Sequence, residues 1–142
     1  METVRQLLEQ KGHDVWSVAP DTSVYDAVKL MATQNVGALV VLQEQRVVGV
    51  ISEREYSRQV ILKGRSSKTT AVREIMVTPV LYARPDQTVE ECMALMTDKR
   101  TRHLPVLDGD QLIGIVSIGD LVKAVIANQE LIIRQLENYI TS

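Results

Sequence analysis

The sequence predicts a mixed α/β (α+β) fold built from two copies of one β-α-β-β-α unit. Residues 15–62 align with residues 80–127 at a constant offset of 65 positions and without a gap. The hydrophobic pattern changes in the same order in both copies, and the substitutions between them are mostly apolar for apolar. Each copy is too small for a good core of its own, so the two are expected to bury their apolar faces against each other.

Each copy opens with a short apolar stretch that predicts a strand, around 15–18 in copy one and 80–83 in copy two. A helix follows over 23–34 and over 88–99, because apolar residues recur there at helical spacing. Both helices begin shortly after a Pro-Asp pair, where aspartate, serine and threonine oxygens are available as caps. The equivalent sequences therefore predict equivalent helices.

A hairpin comes next in each copy, because two apolar segments flank a short polar turn. These segments are 38–42 and 47–51 in copy one, and 103–107 and 112–116 in copy two. The second strand of each hairpin runs into a helix. That helix is predicted over 53–62 in copy one and from residue 118 onward in copy two.

The helical flank before each copy is duplicated as well. Val4-Arg-Gln-Leu-Leu resembles Val72-Arg-Glu-Ile-Met at an offset of 68, so copy one carries three extra residues after this flank. Residues 63–70 are the most linker-like part of the chain. We therefore predict a first domain over 1–65, with an N-terminal helix, and a second over 66–142, with its own flank.

The last helix continues beyond the repeated unit. Residues 121–140 place their apolar side chains along one side of a long amphipathic helix. Its outer turns are expected to pack on the flank of the fold or on a second chain.

Composition excludes several classes of function. The net charge of −2 gives no electrostatic footprint for nucleic acid or for acidic membrane lipids. No apolar run approaches the ~20 residues that span a bilayer, and the first ten residues lack the apolar core of a signal peptide. The single cysteine, Cys92, permits no internal disulfide, so we expect a cytoplasmic protein.

The sharpest local motif is a serine at the end of a strand with an acid three positions later, at the start of a helix. Ser52 and Glu55 form it in copy one, and Ser117 and Asp120 in copy two. The hydroxyl and the free helix N–H groups can hold a phosphate, and the carboxylate suits the two hydroxyls of a ribose. The same spacing is also a capping box, which needs no ligand. Its presence at equivalent points of both copies favours a site, and the motif alone leaves both interpretations open.

A basic pair, Arg102-His103, enters the first hairpin strand of copy two, where copy one has Gly37-Ala38. The strand therefore forms without the basic pair, which suggests a task in copy two alone. Arginine and histidine side by side can hold a phosphate through charge-assisted hydrogen bonds. The alternative is a solvated arginine at a strand end and a packed histidine.

Other residues carry weaker signals. Lys68 in the linker is a candidate phosphate contact, although linker charges are usually solvated. Trp16 is the only tryptophan and is expected to pack, or to stack on a base beside a nucleotide site. Cys92, together with the methionines at equivalent helix positions, is expected in the core.

Catalytic and metal motifs find little support. Two histidines and one cysteine cannot form a structural zinc cluster, and the sequence holds no P-loop, glycine-rich dinucleotide fingerprint or nucleophile elbow. We therefore expect no catalytic residues, no catalytic cofactor and no metal site.

The tandem unit, with Pro-Asp-x-[Ser/Thr]-Val, His-Leu-Pro-Val and Gly-Ile-Val-Ser-x-x-Asp, resembles a pair of CBS domains, often called a Bateman module. The resemblance covers nearly the whole chain and implies a stand-alone CBS-pair protein. It implies two units that pack about a pseudo-twofold axis, with two clefts that bind adenosine-containing ligands: AMP, ADP, ATP, NAD(H) or S-adenosylmethionine. It also implies a homodimer.

The resemblance assigns residues to both clefts. In this sequence the first cleft would comprise Asp120, Ser117, Arg102 and His103. It would be closed by the segment Lys11 to Trp16, in which Gly12, Val15 and Trp16 are the candidate contacts. The second would comprise Glu55, Ser52 and Arg54, closed by the segment with Thr78 and Val80. Glu55 stands where the family has aspartate, and the basic pair is absent, so the second cleft is expected to bind more weakly.

Two functions follow from this resemblance. The first is a regulatory module that binds AMP, ATP or NAD(H), senses energy or redox state, and signals to a partner protein. The second is an interaction or dimerisation scaffold whose clefts are empty or structural. Asp120 together with Arg102-His103 discriminates between them, because a scaffold has no need of all three.

Overall fold

The computed structural model describes residues 2–141, which form five α-helices, five strands and two short turns of other helix types. In chain order these are α1 (Val4–Lys11), β1 (Ser17–Val18), α2 (Val24–Gln34), β2 (Ala38–Gln43), β3 (Arg46–Ser52), α3 (Glu53–Glu55), a π-helical turn (Tyr56–Ile61), a 3-10 turn (Val72–Glu74), α4 (Val89–Lys99), β4 (His103–Asp108), β5 (Gln111–Ser117) and α5 (Ile118–Thr141). One sheet contains β1, β2 and β3, and a second contains β4 and β5. The predicted mixed fold with an extended C-terminal helix is confirmed.

The chain divides into two compact units. The copy-one unit contains Asp14–Leu81 and Gly109–Leu112. The copy-two unit contains the residues up to His13, Tyr82–Asp108 and the residues from Ile113 onward. Each unit thus combines one copy with the helical flank that precedes the other copy in sequence. The domain boundary at residue 65 follows the order of the repeats along the chain and stays a prediction.

The backbone holds the two exchanged flanks in the same way. In the copy-two unit the N–H of Arg5 donates to the carbonyl of Pro85 at 3.0 Å. In the copy-one unit the N–H of Arg73 donates to the carbonyl of Pro20 at 2.9 Å. These pairs are equivalent in the repeat, which explains why the flank sequence is duplicated together with the Pro-Asp motif.

A glycine allows each flank to approach the strand beneath it. A Cβ added to Gly114 would lie 2.7 Å from Cδ2 of Leu8, and one added to Gly49 would lie 2.5 Å from Sδ of Met76. Both distances are too short for a side chain to be added without displacing its neighbour. The repeated glycine therefore positions α1 on β5 and the segment after the 3-10 turn on β3.

The helices α2 and α4 confirm the predicted spans to within one residue. The side chains of Ser23 and Thr88 cap them, each accepting a hydrogen bond of 3.1 Å from the backbone N–H three residues on. Both helices end on a residue in the left-handed region, Asn35 at φ 54° and Arg100 at φ 53°.

Both predicted hairpins are present. Glu44 and Gln45 turn the first with φ of 51° and 65°, and Gly109 turns the second with φ 61°. Positive φ at the turn matches the twist of the flanking strands. The strands β2 and β3 pair antiparallel, with one irregularity between Val41 and Leu42.

The opening strand differs between the copies. In copy one the N–H of Val40 donates to the carbonyl of Trp16 at 3.1 Å, and β1 lies parallel to β2. The equivalent donor in copy two is Pro105, which has no N–H. The predicted strand of copy two is therefore reduced to an isolated bridge at Ala83, whose N–H donates to the carbonyl of Pro105 at 2.8 Å.

The helices after the hairpins also differ. In copy one the predicted helix over 53–62 is divided into α3 and the π-helical turn, whereas in copy two α5 continues for 24 residues. Exposed apolar side chains occupy the outer part of α5: Leu131, Ile132, Ile133, Leu136 and Ile140. Among the helices of residues 2–141, none combines the length and the apolar character that crossing a lipid bilayer requires.

The core is aliphatic, as the composition predicts. Cys92, Met31 and Met96 are buried in it. Burial raises the pKa of the Cys92 thiol to about 11, with a smaller contribution from the charge of Glu91. Cys92 is therefore a packing residue held as the neutral thiol.

Candidate functional site

Each unit contains one junction at which a strand passes directly into a helix. The copy-two junction comprises Ser117 to Asp120, between β5 and α5, and the copy-one junction comprises Ser52 to Glu55, between β3 and α3. An equivalent backbone hydrogen bond closes both junctions. The N–H of Ile118 donates to the carbonyl of Arg102 at 2.9 Å, and its equivalents in copy one, Glu53 and Gly37, make the same bond at 3.2 Å.

Asp120 is the centre of the copy-two junction. Its Oδ2 accepts hydrogen bonds from the N–H of Ser117 at 2.8 Å and from Nζ of Lys11 at 2.6 Å. Its own N–H donates to Oγ of Ser117 at 3.1 Å. Nζ of Lys11 also donates to the carbonyl of Ile115 at 2.5 Å. A lysine from the last turn of α1 therefore completes this junction.

The segment after α1 follows β5. Gly12 has φ 105°, and its N–H donates to the carbonyl of Leu8 at 2.7 Å, which ends the helix. One residue on, Nδ1 of His13 lies 2.7 Å from the carbonyl of Ile113. A carbonyl oxygen only accepts, so Nδ1 of His13 carries the proton. Contacts on either side of Gly12 therefore hold Lys11 beside the junction.

Neighbouring groups counteract the effect of burial on the pKa of Asp120. Burial raises the pKa of this carboxyl group. The hydrogen bond from Lys11, the N–H of Ser117, the charge of Lys11 and the hydroxyl of Ser117 together outweigh burial and hold the pKa below its usual value. The side chains of Asp120 and Lys11 are 22% and 32% exposed. Asp120 is therefore an anion at neutral pH, and it remains accessible from solvent.

His103 of the basic pair lies close enough to Lys11 and Asp120 for their charges to affect its pKa. Burial lowers the pKa of His103, and the positive charges of Lys11 and Arg102 lower it further, against the opposing effect of Asp120. His103 is half-buried and Arg102 is exposed. The structure thus brings together three of the predicted residues of the first cleft, Asp120, Ser117 and His103, and adds Lys11 to them. Arg102 joins this junction through its backbone carbonyl.

The copy-one junction is closed on itself. Oε1 of Glu55 accepts hydrogen bonds of 2.8 Å from both the N–H and the hydroxyl of Ser52. Ser52 is buried, with 9% of its surface exposed, whereas Ser117 is half-buried. Glu55 therefore reaches back to the serine hydroxyl with its longer side chain, and Arg54 lies half-buried in the same turn.

The capping-box alternative also has structural support. In both junctions the acid accepts from the N–H of the serine that precedes the helix, which is the reciprocal bond of that motif. The two interpretations are compatible at Asp120, because its Oδ2 accepts both the capping bond and the bond from Lys11.

Four other predicted site residues lie in the copy-one unit: Val15, Trp16, Thr78 and Val80. Trp16 is 40% exposed. Thr78 and Val80 lie in the same unit as the copy-one junction, next to a segment in which Val77 and Val50 exchange backbone hydrogen bonds of 2.8 and 3.3 Å. Their roles as ligand contacts stay predictions.

The linker lysine has a different neighbour. Nζ of Lys68 lies over the ring of Tyr25, 5.1 Å from its centroid, in a cation–π arrangement. Its role as a phosphate contact stays a prediction. Within residues 2–141 no group of three or more histidine, cysteine, aspartate or glutamate side chains is placed to hold a metal ion.

Lys11 is the functional residue that sequence reasoning missed. It appeared only as the start of a segment expected to close the cleft, and its partner Asp120 is 109 positions away. The usable signal was local: the three-residue insertion after α1 occurs only before copy one, and it begins at this lysine.

Comparison with known proteins agrees with this architecture. The family model described as CBS domain matches residues 4–61 and 72–127. The chain is 42% identical over 148 residues to the CBS domain-containing protein CBSX3, mitochondrial, of Arabidopsis thaliana, and the match covers 97% of this chain and 71% of the relative.

Solved structures of other proteins resemble this chain over most of its length. A protein with CBS domains from Burkholderia ambifaria MC40-6 is 52% identical, with a TM-score of 0.86, over 89% of this chain and 96% of that chain. The CBS domain pair of protein MJ0100, in complex with 5-methylthioadenosine and S-adenosyl-L-methionine, has a TM-score of 0.80 at 20% identity, over 90% and 98% of the two chains. This second likeness is one of fold.

Proposed function

The chain belongs to the CBS-domain family, and on that premise we propose that it is a regulatory module that binds an adenine nucleotide at the copy-two junction. The ligand classes are AMP, ADP, ATP and NAD(H), and the ligand-bound state signals energy or redox status to a partner protein. The observation that carries the proposal is the carboxylate of Asp120 with two basic side chains beside it, Lys11 and His103; Arg102 directly precedes His103.

The carboxylate suits the sugar of such a ligand. Asp120 is ionised and partly exposed, so it can accept hydrogen bonds from the two hydroxyls of a ribose. Ser117 is half-buried beside it, at the N-terminus of a helix of 24 residues, where the helix dipole favours negative charge.

The basic groups suit the phosphate. Arg102 can bind a phosphate with two parallel N–H groups, and charge-assisted hydrogen bonds of this kind are roughly twice as strong as neutral ones. His103 is largely neutral in the free protein because its pKa is lowered, and a phosphate nearby would favour its protonated form. CBS domain pairs bind adenosine-containing ligands, as in the MJ0100 structure, and this supports the class of ligand.

Thermal unfolding with AMP, ADP, ATP, NAD, NADH and S-adenosylmethionine tests this proposal. A ligand at ~100 times its Kd stabilises the folded state by about 2.7 kcal/mol, which raises Tm by several degrees in a chain of this size. We expect a selective rise that Asp120→Ala abolishes. No rise with any of the six ligands would contradict the proposal.

A second function has its own observation. The exposed apolar side chains of outer α5, from Leu131 to Ile140, favour an interaction or dimerisation scaffold that acts without ligand. In both functions we propose a homodimer, because such a row of apolar side chains is commonly covered by another chain. The molecular mass in solution, compared with that of Leu136→Glu, tests this.

The proposal assigns no catalytic step and no catalytic cofactor to the chain. It places the protein in the cytoplasm, where the single buried thiol of Cys92 is compatible with a reducing environment. The Arabidopsis relative is named as mitochondrial.

A further inference from the structure

The contact between Lys11 and Asp120 occupies one of the two carboxylate oxygens that a ribose would use. Nζ of Lys11 lies 2.6 Å from Oδ2 of Asp120, and the carbonyl of Ile115 accepts a second hydrogen bond at 2.5 Å. A ribose that uses both oxygens of this carboxylate, one for each of its two hydroxyls, must therefore share Oδ2 with the ammonium group or displace it.

Displacement of Lys11 has an electrostatic cost that depends on the ligand. Away from Asp120, its ammonium group would lose its partner beside His103, where the positive charges of Lys11 and Arg102 already disfavour protonation of the imidazole. The side chain of Lys11 is 32% exposed, so this loss costs less than in a fully buried pair, and a new partner for the ammonium group offsets it. An anionic group of the ligand provides such a partner, whereas a neutral or cationic ligand does not.

We infer that Lys11 determines ligand selectivity: it occupies Asp120 in the free protein and admits adenosine ligands that carry a phosphate in preference to uncharged or cationic ones. The inference rests on the proposed function, and it specifies which member of the ligand class the site prefers. The disfavoured ligands are adenosine, 5-methylthioadenosine and S-adenosylmethionine, and the favoured ones are AMP and related nucleotides.

The position of Lys11 is well defined. Leu8 is fully buried one turn before it and contacts the backbone at Gly114. Gly12 ends the helix immediately after it, and His13 is held by the carbonyl of Ile113. These contacts fix the backbone on both sides, so the ammonium group is delivered to the junction and not left to solvent.

Copy one offers an internal comparison. At the offset of 68 that aligns the two flanks, Pro79 stands at the position of Lys11, so the chain has no ammonium group there. Glu55 is instead satisfied by Ser52. Charge selection by a flank lysine is therefore confined to the copy-two junction.

The test is isothermal titration calorimetry of the full chain with AMP, adenosine and S-adenosylmethionine, for the wild type and Lys11→Met. The substitution removes the charge and shortens the unbranched side chain by one atom. We expect AMP to bind roughly tenfold or more weakly, the scale of one charge-assisted hydrogen bond. Adenosine and S-adenosylmethionine should bind equally well or more tightly, because their competitor for Asp120 is gone.

Controls separate this inference from the function on which it rests. Lys99→Met removes a lysine from the last turn of another helix in the same unit, where it pairs with Asp98 at 3.7 Å on the surface, and should leave all three affinities unchanged. Lys11→Gln provides a second neutral variant if Lys11→Met unfolds. If Lys11→Met changes the affinities for AMP and adenosine in parallel, the selectivity assigned to Lys11 is overturned and the proposed function is not. A wild type that binds none of the three, and whose Tm rises with none of the six ligands of the thermal unfolding test, would overturn the proposed function as well.

Discussion

The copy-one and copy-two junctions have the same backbone and different partners for the acid. In both, the first N–H of the helix donates to the carbonyl of the residue that precedes the first hairpin strand, Gly37 in copy one and Arg102 in copy two. At the first junction Glu55 turns back to the hydroxyl and N–H of its own Ser52. At the second, Asp120 is one methylene shorter and meets the ammonium group of Lys11.

This difference shows how a duplicated fold acquires two unequal sites. The Ser-x-x-acid spacing is kept in both units because it joins a strand to a helix, and the glycine and the flank position are kept because the flank packs on that strand. The charges are not needed for that purpose, and they are concentrated in the copy-two unit: Lys11, Arg102 and His103. The repeat thus preserves structure, and ligand binding is expected where the copies diverge.

The sharpest test of this comparison replaces the two acids by their amides. Asp120→Asn should weaken AMP binding by roughly tenfold to a hundredfold, since a charged acceptor for the ribose is lost. Glu55→Gln should change it by no more than about twofold, within the ordinary scatter of a surface substitution. Titration calorimetry of both variants measures the difference, and equal losses would show that the two junctions are equivalent.

The second test compares the two glycines at which a flank meets a strand. Gly114→Ala should destabilise the fold by about 1–3 kcal/mol, because the new methyl group meets Leu8, a fully buried side chain in a packed core. Gly49→Ala should cost less, because Met76 is only half-buried and its unbranched side chain adjusts readily.

Urea unfolding of both glycine variants provides the measurement. A larger loss for Gly49→Ala would contradict the expectation that Met76 adjusts to a new methyl group more readily than Leu8 does. Since Leu8 also positions Lys11, Gly114→Ala is expected to weaken AMP binding more than Gly49→Ala does.

Local features of the fold could be predicted because their causes are local. Ser23 and Thr88 cap the helices that follow them, and the polar turns close hairpins between adjacent strands, so a few consecutive residues determine each structure. Two local predictions were wrong. Pro105 removes the donor that an opening strand in copy two would need, and the helix after Ser52 contains a π-helical turn that no residue pattern indicated.

The site could be predicted only in part, for a different reason. Ser117 and Asp120 are close in sequence and form a recognisable motif. Lys11 reaches Asp120 only because α1 packs in the unit of copy two instead of with the copy that follows it. The family resemblance places the segment that begins at Lys11 at this cleft, but no local pattern pairs Lys11 with Asp120, because the two residues are 109 positions apart.

The smallest expected effect concerns His103, which stands where copy one has Ala38. In the folded state burial lowers the pKa of His103 from 6.5. The positive charges of Lys11 and Arg102 lower it further, and the negative charge of Asp120 opposes them. Below about pH 6.5 the unfolded chain therefore takes up a proton that the folded chain does not. The free energy of unfolding should fall as the pH decreases through this window.

His103→Ala makes copy two resemble copy one at this position and should flatten that dependence between about pH 7.5 and pH 5. Asp120 does not interfere, because its pKa is lowered as well, so its stabilising contribution is lost only in more acidic solution. Urea unfolding at a series of pH values compares the two proteins. Identical slopes would mean that His103 is not held neutral by its neighbours, and the charges of the copy-two junction would then be less closely coupled than the geometry implies.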